Sequence, residues 1–182
     1  MSLPLPVTAE YDAVVYDLDG TLVSLAVDWP TVHRDVVTRL HEEGISVDDE
    51  SLWALLERAH REGFAPVVER VIAAHEREGA QTAELLPTAG ELPRTVPVGV
   101  CSLNAEGPCR LALARHGLDD HVDTVVGRDT VETYKPEPEP LLAAVDELSA
   151  TPDRALFVGD SERDARTAER AGVAFEYVES RS

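Results

Sequence analysis

The fold of this chain is decided by one stretch, residues 13–22, which reads AVVYDLDGTL. The apolar start of this stretch predicts a buried β-strand, and two carboxylates and a glycine follow directly behind it. In open α/β sheets the carboxyl ends of the strands are where ligands bind. Asp17 and Asp19 stand two residues apart, so on an extended segment their side chains would point the same way and share one metal ion or one substrate. The simpler alternative is an acidic turn, because Asp-Gly is a common turn dipeptide.

Length and composition indicate an ordinary globular protein. A chain of 182 residues with 43% hydrophobic residues buries one core and leaves room for a small inserted subdomain. No apolar stretch approaches the ~20 residues needed to span a bilayer, and residues 1–6 lack the pattern of a signal peptide. The two cysteines, Cys101 and Cys109, match no metal or redox spacing. We therefore expect a soluble protein of the reducing cytoplasm.

The charge balance is strongly acidic, with 35 acidic against 16 basic residues and a formal net charge of −19. Such a surface repels nucleic acid and anionic membranes, so we expect neither as a partner. The acids are spread along the whole chain, which argues against a disordered acidic tail. Adaptation to concentrated salt, which screens the self-repulsion, is one interpretation of this composition, and simple solubility is the other.

The hydrophobic pattern changes along the chain. A first strand at residues 11–17 precedes a helical stretch, residues 29–86, in which no clear strand is evident. We predict helices there at 29–44, 48–63 and 66–78, the second opening on the acids at 48–50, which the helix dipole favours. The remaining pattern predicts strands at 95–102, 122–126, 154–158 and 173–178, alternating with helices at 106–116, 138–149 and 162–171. This alternation implies right-handed crossovers and a parallel sheet, hence an α/β fold with a helical insertion after the first strand.

Further polar side chains follow the other predicted strands. Ser102 ends the second strand of the sheet, Lys135 follows the third, and Asp160 and Asp164 follow the fourth. In a parallel sheet all of them lie at the same edge as the first two carboxylates. Lys135 is also the sole lysine of the chain, where arginine is otherwise the default cation.

The chemistry of this set favours a hard metal ion and a phosphate. So many carboxylates in one crevice repel each other unless a cation lies among them. Oxygen donors at this density, without histidine or cysteine, suit Mg²⁺. Lys135 and Ser102 would then bind the phosphoryl oxygens of a substrate. The set therefore fits phosphoryl transfer.

Four motifs stand in a fixed order along the chain: DLDGT at 17–21, Ser102, KPEP at 135–138 and GDSERD at 159–164. This order resembles that of the haloacid dehalogenase superfamily of hydrolases, close to its phosphoglycolate phosphatase and β-phosphoglucomutase-like group. The resemblance extends from residue 11 to about residue 175. It implies a Rossmann-like parallel sheet core at residues 1–23 and 87–182, with a small helical cap at residues 24–86 inserted after the first strand.

The resemblance also implies roles for the acids. Asp17 corresponds to the nucleophile that attacks phosphorus, and it would ligate Mg²⁺ together with Asp160 and the backbone carbonyl of Asp19. Asp19 corresponds to the general acid and base, which protonates the leaving oxygen and then activates water. Its presence argues against true dehalogenation, because the dehalogenases of the family lack an acid there.

Three other positions complete the implied site. Ser102 and Lys135 would hold the phosphoryl group, and Asp164 would support the metal or Lys135. The family's second motif usually continues with asparagine, whereas here Leu103 follows and Asn104 comes one place late. The cap is also short for its class, which leaves open how far it encloses a substrate.

The cap region offers few further signals. We interpret Trp29, Trp53 and Phe64 as cap core, one of which could border the substrate. Arg58, Arg61 and Arg70 are interpreted as charges of a solvated face, although one that faced the crevice could bind a second anionic group of the substrate.

The resulting hypothesis is a Mg²⁺-dependent phosphatase that hydrolyses a small phosphorylated metabolite through an aspartyl-phosphate. One alternative is a sugar-phosphate mutase, which returns the phosphoryl group to a sugar. The other is a catalytically silent protein that kept the phosphate and metal site. We expect a monomer or a weak homodimer, since an uncovered edge of the sheet could pair with a second copy.

The acidic composition leads to a prediction about salt. If the chain is salt-adapted, its helical circular dichroism should rise with KCl up to molar concentration, because screening relieves the repulsion among its carboxylates. Full helicity without added salt would contradict the salt-adapted interpretation and favour simple solubility.

Overall fold

The structure, a computed structural model, describes residues 11–181. Seven strands lie in this part of the chain: β1 (Ala13–Tyr16), β2 (Val23–Ser24), β3 (Glu84–Leu85), β4 (Val98–Cys101), β5 (Thr124–Val126), β6 (Ala155–Gly159) and β7 (Ala174–Tyr177). The helices are α1 (Trp29–Glu42), α2 (Leu52–Glu62), α3 (Ala65–Gln81), α4 (Glu106–Arg115), α5 (Glu139–Glu147) and α6 (Glu162–Ala171). The expectation that the chain has no signal peptide concerns residues 1–6, which lie outside the described residues.

Five strands form one parallel sheet in the order β5-β4-β1-β6-β7. Strand β1 lies at its centre and pairs with β4 on one side and β6 on the other, so that Val15 is in register with both Gly99 and Phe157. All residues of β1 are buried, as expected of a strand covered on both faces. The predicted parallel α/β sheet is therefore confirmed.

Alternate residues of β1 enter two different cores. Val14 and Tyr16 belong to the hydrophobic cluster on the α4 side of the sheet, together with Cys109. Ala13 and Val15 belong to the cluster on the opposite face, under α5 and α6. The sheet is thus held between two helical layers. The segment that follows β1 must therefore leave at the carboxyl edge of the sheet.

Helices α1, α2 and α3 form a separate hydrophobic cluster around Val36, Leu40, Leu55, Leu56 and Ile72. They lie between β2 and β3, which pair with each other antiparallel. The expectation of a strand-free stretch at 29–86 was therefore wrong at β3, since two-residue strands carry no readable alternation. A division into a core and a cap at residues 24–86 remains a prediction.

Two helix bounds differ from the pattern-based prediction. The acids at 48–50 precede α2, because the Ser51 hydroxyl caps it by accepting a hydrogen bond from Ala54 N at 3.2 Å. Helix α3 continues through Gly79 to Gln81 instead of ending at residue 78. A Cβ at Gly79 would lie 2.8 Å from the carbonyl oxygen of Ala26, so this glycine permits close packing and is not a helix stop.

Strand β7 forms one edge of the sheet, with Tyr177 exposed. The expectation of a monomer or weak homodimer remains a prediction. Among residues 11–181, no helix combines the length and the apolar character needed to cross a membrane.

Candidate active site

The carboxyl edge of the sheet gathers the predicted polar residues. Asp17 follows β1, Ser102 follows β4, and Asp160 follows β6, with Asp164 in the first turn of α6. The loop after β5 carries Lys135, whose side chain is buried. The parallel sheet places all these side chains at one edge because each lies at or beyond the end of its strand.

The Lys135 ammonium connects residues from three different segments at this edge of the sheet. Its Nζ donates hydrogen bonds to Asp17 Oδ1 at 2.9 Å, to Asp164 Oδ1 at 2.5 Å and to the Cys101 carbonyl oxygen at 3.3 Å. Burial opposes the charge of this ammonium, but the attraction of Asp17 and Asp164 outweighs it and raises the pKa of Lys135 above its usual value. The ammonium is therefore charged and held in place.

Three carboxylates form a group suited to a metal ion. Asp17, Asp160 and Asp164 each offer one oxygen, and these oxygens lie within 4.8 Å of one another. Asp164 Oδ2 is buried with no hydrogen-bond partner among the described residues, so it is available as a ligand. Burial raises the pKa of Asp17 despite the Lys135 charge, and the nearby Asp164 raises it further. An all-oxygen donor set with this excess of negative charge fits a hard divalent cation such as Mg²⁺.

The carboxylate of Asp19 lies outside that group. Its Oδ1 accepts a hydrogen bond from Leu25 N at 2.9 Å. Strand β1 ends at Tyr16 and the chain turns at once around Leu18 O, yet Asp17 and Asp19 both line the cavity at the sheet edge. That their side chains share one metal ion or one substrate remains a prediction. Burial raises the pKa of Asp19, and the hydrogen bond from Leu25 opposes that rise. A role for the Asp19 carbonyl as a metal ligand remains a prediction.

Gly20 permits the close approach of the two acidic loops. Its φ is +88°, in the left-handed region, and a Cβ there would collide with the carboxylate of Asp160. Glycine is therefore required by both the backbone conformation and the contact, which explains its place in the DLDGT motif.

Ser102 faces Asn104. Its Oγ donates to Asn104 Oδ1 and accepts from Asn104 N, both at 3.0 Å, and the side chain is buried. Leu103 and Asn104 line the cavity at the sheet edge, whereas Ser102 is not among the residues that line it. The role of Ser102 toward a phosphoryl group remains a prediction, and the asparagine that stands one place late does reach the cavity.

The sequence analysis missed a buried ion-pair network. The Arg128 guanidinium, fully buried, donates to both oxygens of Glu76 at 3.0 Å and to Glu69 Oε2 at 2.8 Å. Asn104 Nδ2 donates to Glu76 Oε2 at 2.6 Å. Burial opposes the charge of Arg128, but Glu76 and Glu69 outweigh it and raise the pKa of Arg128. Glu76 follows Ile72 at helical spacing, so a charge on the apolar stripe of α3 was the available signal.

This network connects α3 to the sheet edge. Glu69 and Glu76 lie on α3, Arg128 follows β5, and Asn104 follows β4. The helical insertion is thereby fixed against the loop that supplies a wall of the cavity.

The cavity between the sheet edge and the helical insertion has a volume of about 250 Å³. Trp29 and Trp53 line it, with ring centroids 5.8 Å apart, and both also pack on the cluster of the helical insertion. The predicted cap-core tryptophans therefore border the cavity as well. Arg58 is directed elsewhere, to Ser46 O and Glu50. The lining residues are Asp17, Asp19, Trp29, Trp53, Leu103, Asn104, Lys135, Asp160, Ser161, Arg163 and Asp164.

Known proteins are similar to this chain in sequence and in fold. The family profile described as haloacid dehalogenase-like hydrolase matches residues 11–172. A phosphoglycolate phosphatase of Rhodospirillum rubrum is 34% identical, over 88% of this chain and 76% of the relative. A pyrophosphatase of Bacillus cereus is 28% identical, over 89% of this chain and 80% of the relative. A solved haloacid dehalogenase-like hydrolase of Bacteroides fragilis matches with a TM-score of 0.68 at 26% identity, over 91% of this chain and 86% of the other.

The buried network leads to a stability prediction. Arg128→Met should lower the free energy of unfolding by about 3–5 kcal/mol, because it leaves the Glu76 carboxylate buried without its cation. Urea unfolding at fixed salt measures the change. The control is Arg110→Met, which removes an exposed ion pair with Glu106 and should cost less than about 1 kcal/mol. Equal effects of the two substitutions would show that the buried pair does not hold the helical insertion.

Proposed function

The chain belongs to the haloacid dehalogenase-like hydrolase family, and on that premise we propose that it is a Mg²⁺-dependent phosphatase that hydrolyses a small phosphorylated metabolite through an aspartyl-phosphate. The observation that carries the proposal is the position of Asp17. It follows the central strand, lies in the three-carboxylate group and has one oxygen held by the Lys135 ammonium. Such a carboxylate is oriented for attack on a phosphoryl group.

The proposed reaction has two steps. A carboxylate oxygen of Asp17 attacks phosphorus, the bond from phosphorus to the ester oxygen breaks, and Asp19 gives its proton to that oxygen. Asp19 then takes a proton from water, whose oxygen attacks phosphorus, and the bond to Asp17 breaks to release inorganic phosphate. Mg²⁺ held by Asp17, Asp160 and Asp164 would neutralise phosphoryl charge. Lys135 keeps Asp17 and Asp164 in place throughout.

The size of the cavity supports a small substrate. Its volume of about 250 Å³ lies below the range of about 300–1,000 Å³ usual for drug-sized ligands. The relatives named above are a phosphoglycolate phosphatase and a pyrophosphatase. Phosphoglycolate and pyrophosphate are therefore the first substrates to test.

We also propose that the protein is cytoplasmic and that it is adapted to concentrated salt. A cytoplasmic location is supported by Cys101 and Cys109, which are both free and buried. Salt adaptation is supported by the net charge of −19.

We predict that Asp17→Asn abolishes Mg²⁺-dependent hydrolysis of para-nitrophenyl phosphate, by several orders of magnitude, because an amide is a poor nucleophile. Release of nitrophenol with and without molar KCl measures the rate. Asp146→Asn on α5, the same chemical change at an exposed position, is the matched control and should keep the wild-type rate. Retained activity of the Asp17 variant would show that the nucleophile has been wrongly assigned.

A second prediction tests the proton donor. Asp19→Asn should lower kcat on an alkyl phosphate by about 100-fold or more, and much less on para-nitrophenyl phosphate, whose leaving group needs no proton. The rates of the two esters are compared at one pH and one Mg²⁺ concentration. Equal losses on both esters would contradict the acid role of Asp19.

A further inference from the structure

The two cations at the cavity differ in their surroundings. The lining contains two basic side chains, Lys135 and Arg163. Lys135 is held by Asp17 and Asp164. The Arg163 guanidinium makes no hydrogen bond or ion pair with any of the described residues, 11–181. Its guanidinium carbon lies 5.8 Å from the ring centroid of Trp53, within range of a cation–π interaction.

The unpaired guanidinium of Arg163 distinguishes it from the other arginines of α6. Farther along α6, Arg166 pairs with Glu162 and Arg170 pairs with Glu137, at 3.6 and 3.2 Å. Arg163 instead extends toward the helical insertion. It directly precedes Asp164, so its backbone is fixed relative to the group that holds Lys135. An anion bound by Arg163 would therefore lie between the reacting carboxylates and the insertion.

The charges that line the cavity indicate a role for Arg163 in binding an anionic substrate. The lining has four carboxylates, those of Asp17, Asp19, Asp160 and Asp164, against the two cations. When Asp19 carries the proton that the proposed mechanism requires, three charged carboxylates face the two cations, and a bound divalent cation then makes the net charge of the lining positive. Without Arg163 this positive charge would be cancelled, and a substrate with several negative charges would lose an attractive group.

We propose that Arg163, held on the Trp53 ring, binds a second anionic group of the substrate while the phosphoryl group lies at Asp17. This inference rests on the proposed function and adds a substrate class: small phosphate compounds with a second anion, a carboxylate or another phosphoryl group. The planar guanidinium offers paired donors that match either group. Trp29 and Trp53 supply an apolar wall for the atoms between the two anions.

The chain provides its own reporter for the test. Its two tryptophans both line the cavity, so intrinsic fluorescence reports binding there. The titration uses the Mg²⁺-loaded Asp17→Asn protein, which does not turn the ligand over. The ligands are 2-phosphoglycolate, pyrophosphate and ethyl phosphate, the last of which lacks a second anion, at one ionic strength. Affinities are measured for the Asp17→Asn protein and for three double variants that also carry Arg163→Met, Arg163→Lys or Arg166→Met.

The measured quantity is the ratio of the affinity for each doubly anionic ligand to that for ethyl phosphate. Arg163→Met should lower this ratio by about 10- to 100-fold for at least one of them, since it removes hydrogen bonds to a charged group. Arg163→Lys should restore part of the loss. Arg166→Met removes the same charge outside the cavity and should leave the ratio unchanged.

Three outcomes would overturn the proposal. They are an unchanged ratio for both doubly anionic ligands, an equal fall with Arg166→Met, and no binding of any of the three ligands. Turnover of para-nitrophenyl phosphate by the chain with its native Asp17 decides the proposed function separately. A phosphatase that fails the fluorescence test would therefore lose only the Arg163 subsite.

Discussion

The site depends on one buried interaction, the Lys135 ammonium shared between Asp17 and Asp164. Its three hydrogen bonds connect the end of β1, the end of β4 and the first turn of α6. A compact ammonium with three donors suits three acceptors in different directions, whereas the flat fork of arginine does not. This geometry explains a solitary lysine in a chain that otherwise uses arginine. It also leaves Asp164 Oδ2 and the Asp160 carboxylate for a metal ion.

The helical insertion is joined to this edge by a second buried charge cluster. Arg128 and Glu76 connect α3 to the loop of Asn104, so one wall of the cavity is held by the core and the insertion together. Near the other wall, the Arg163 guanidinium lies over the ring of Trp53 and has no ion-pair partner among residues 11–181. This combination is suited to selecting a substrate. The fixed wall limits the size of the ligand, and the unpaired cation favours a ligand with a second negative charge.

The sequence was sufficient to predict the sheet and the edge at which the site lies, because buried parallel strands give continuous apolar runs and their ends carry the acids. It could not predict the hydrogen bond from Leu25 N to Asp19, since this depends on a turn around Leu18 O, or the pairing of Ser102 with Asn104. The network of Glu76 and Arg128 joins residues 52 positions apart, and no local pattern encodes such a contact. The contact between Arg163 and the ring of Trp53 likewise joins residues that are distant in the sequence.

The central claim is that Asp17 becomes phosphorylated during turnover, and borohydride trapping tests it most directly. Borohydride reduces an acyl phosphate to an alcohol and leaves free carboxylates unchanged, so a phosphorylated aspartate is recovered as homoserine. Mass spectrometry of the peptide that contains residue 17 should find homoserine there only when substrate and Mg²⁺ are both present. Unreduced Asp17 during sustained turnover, or homoserine at another position, would contradict the account.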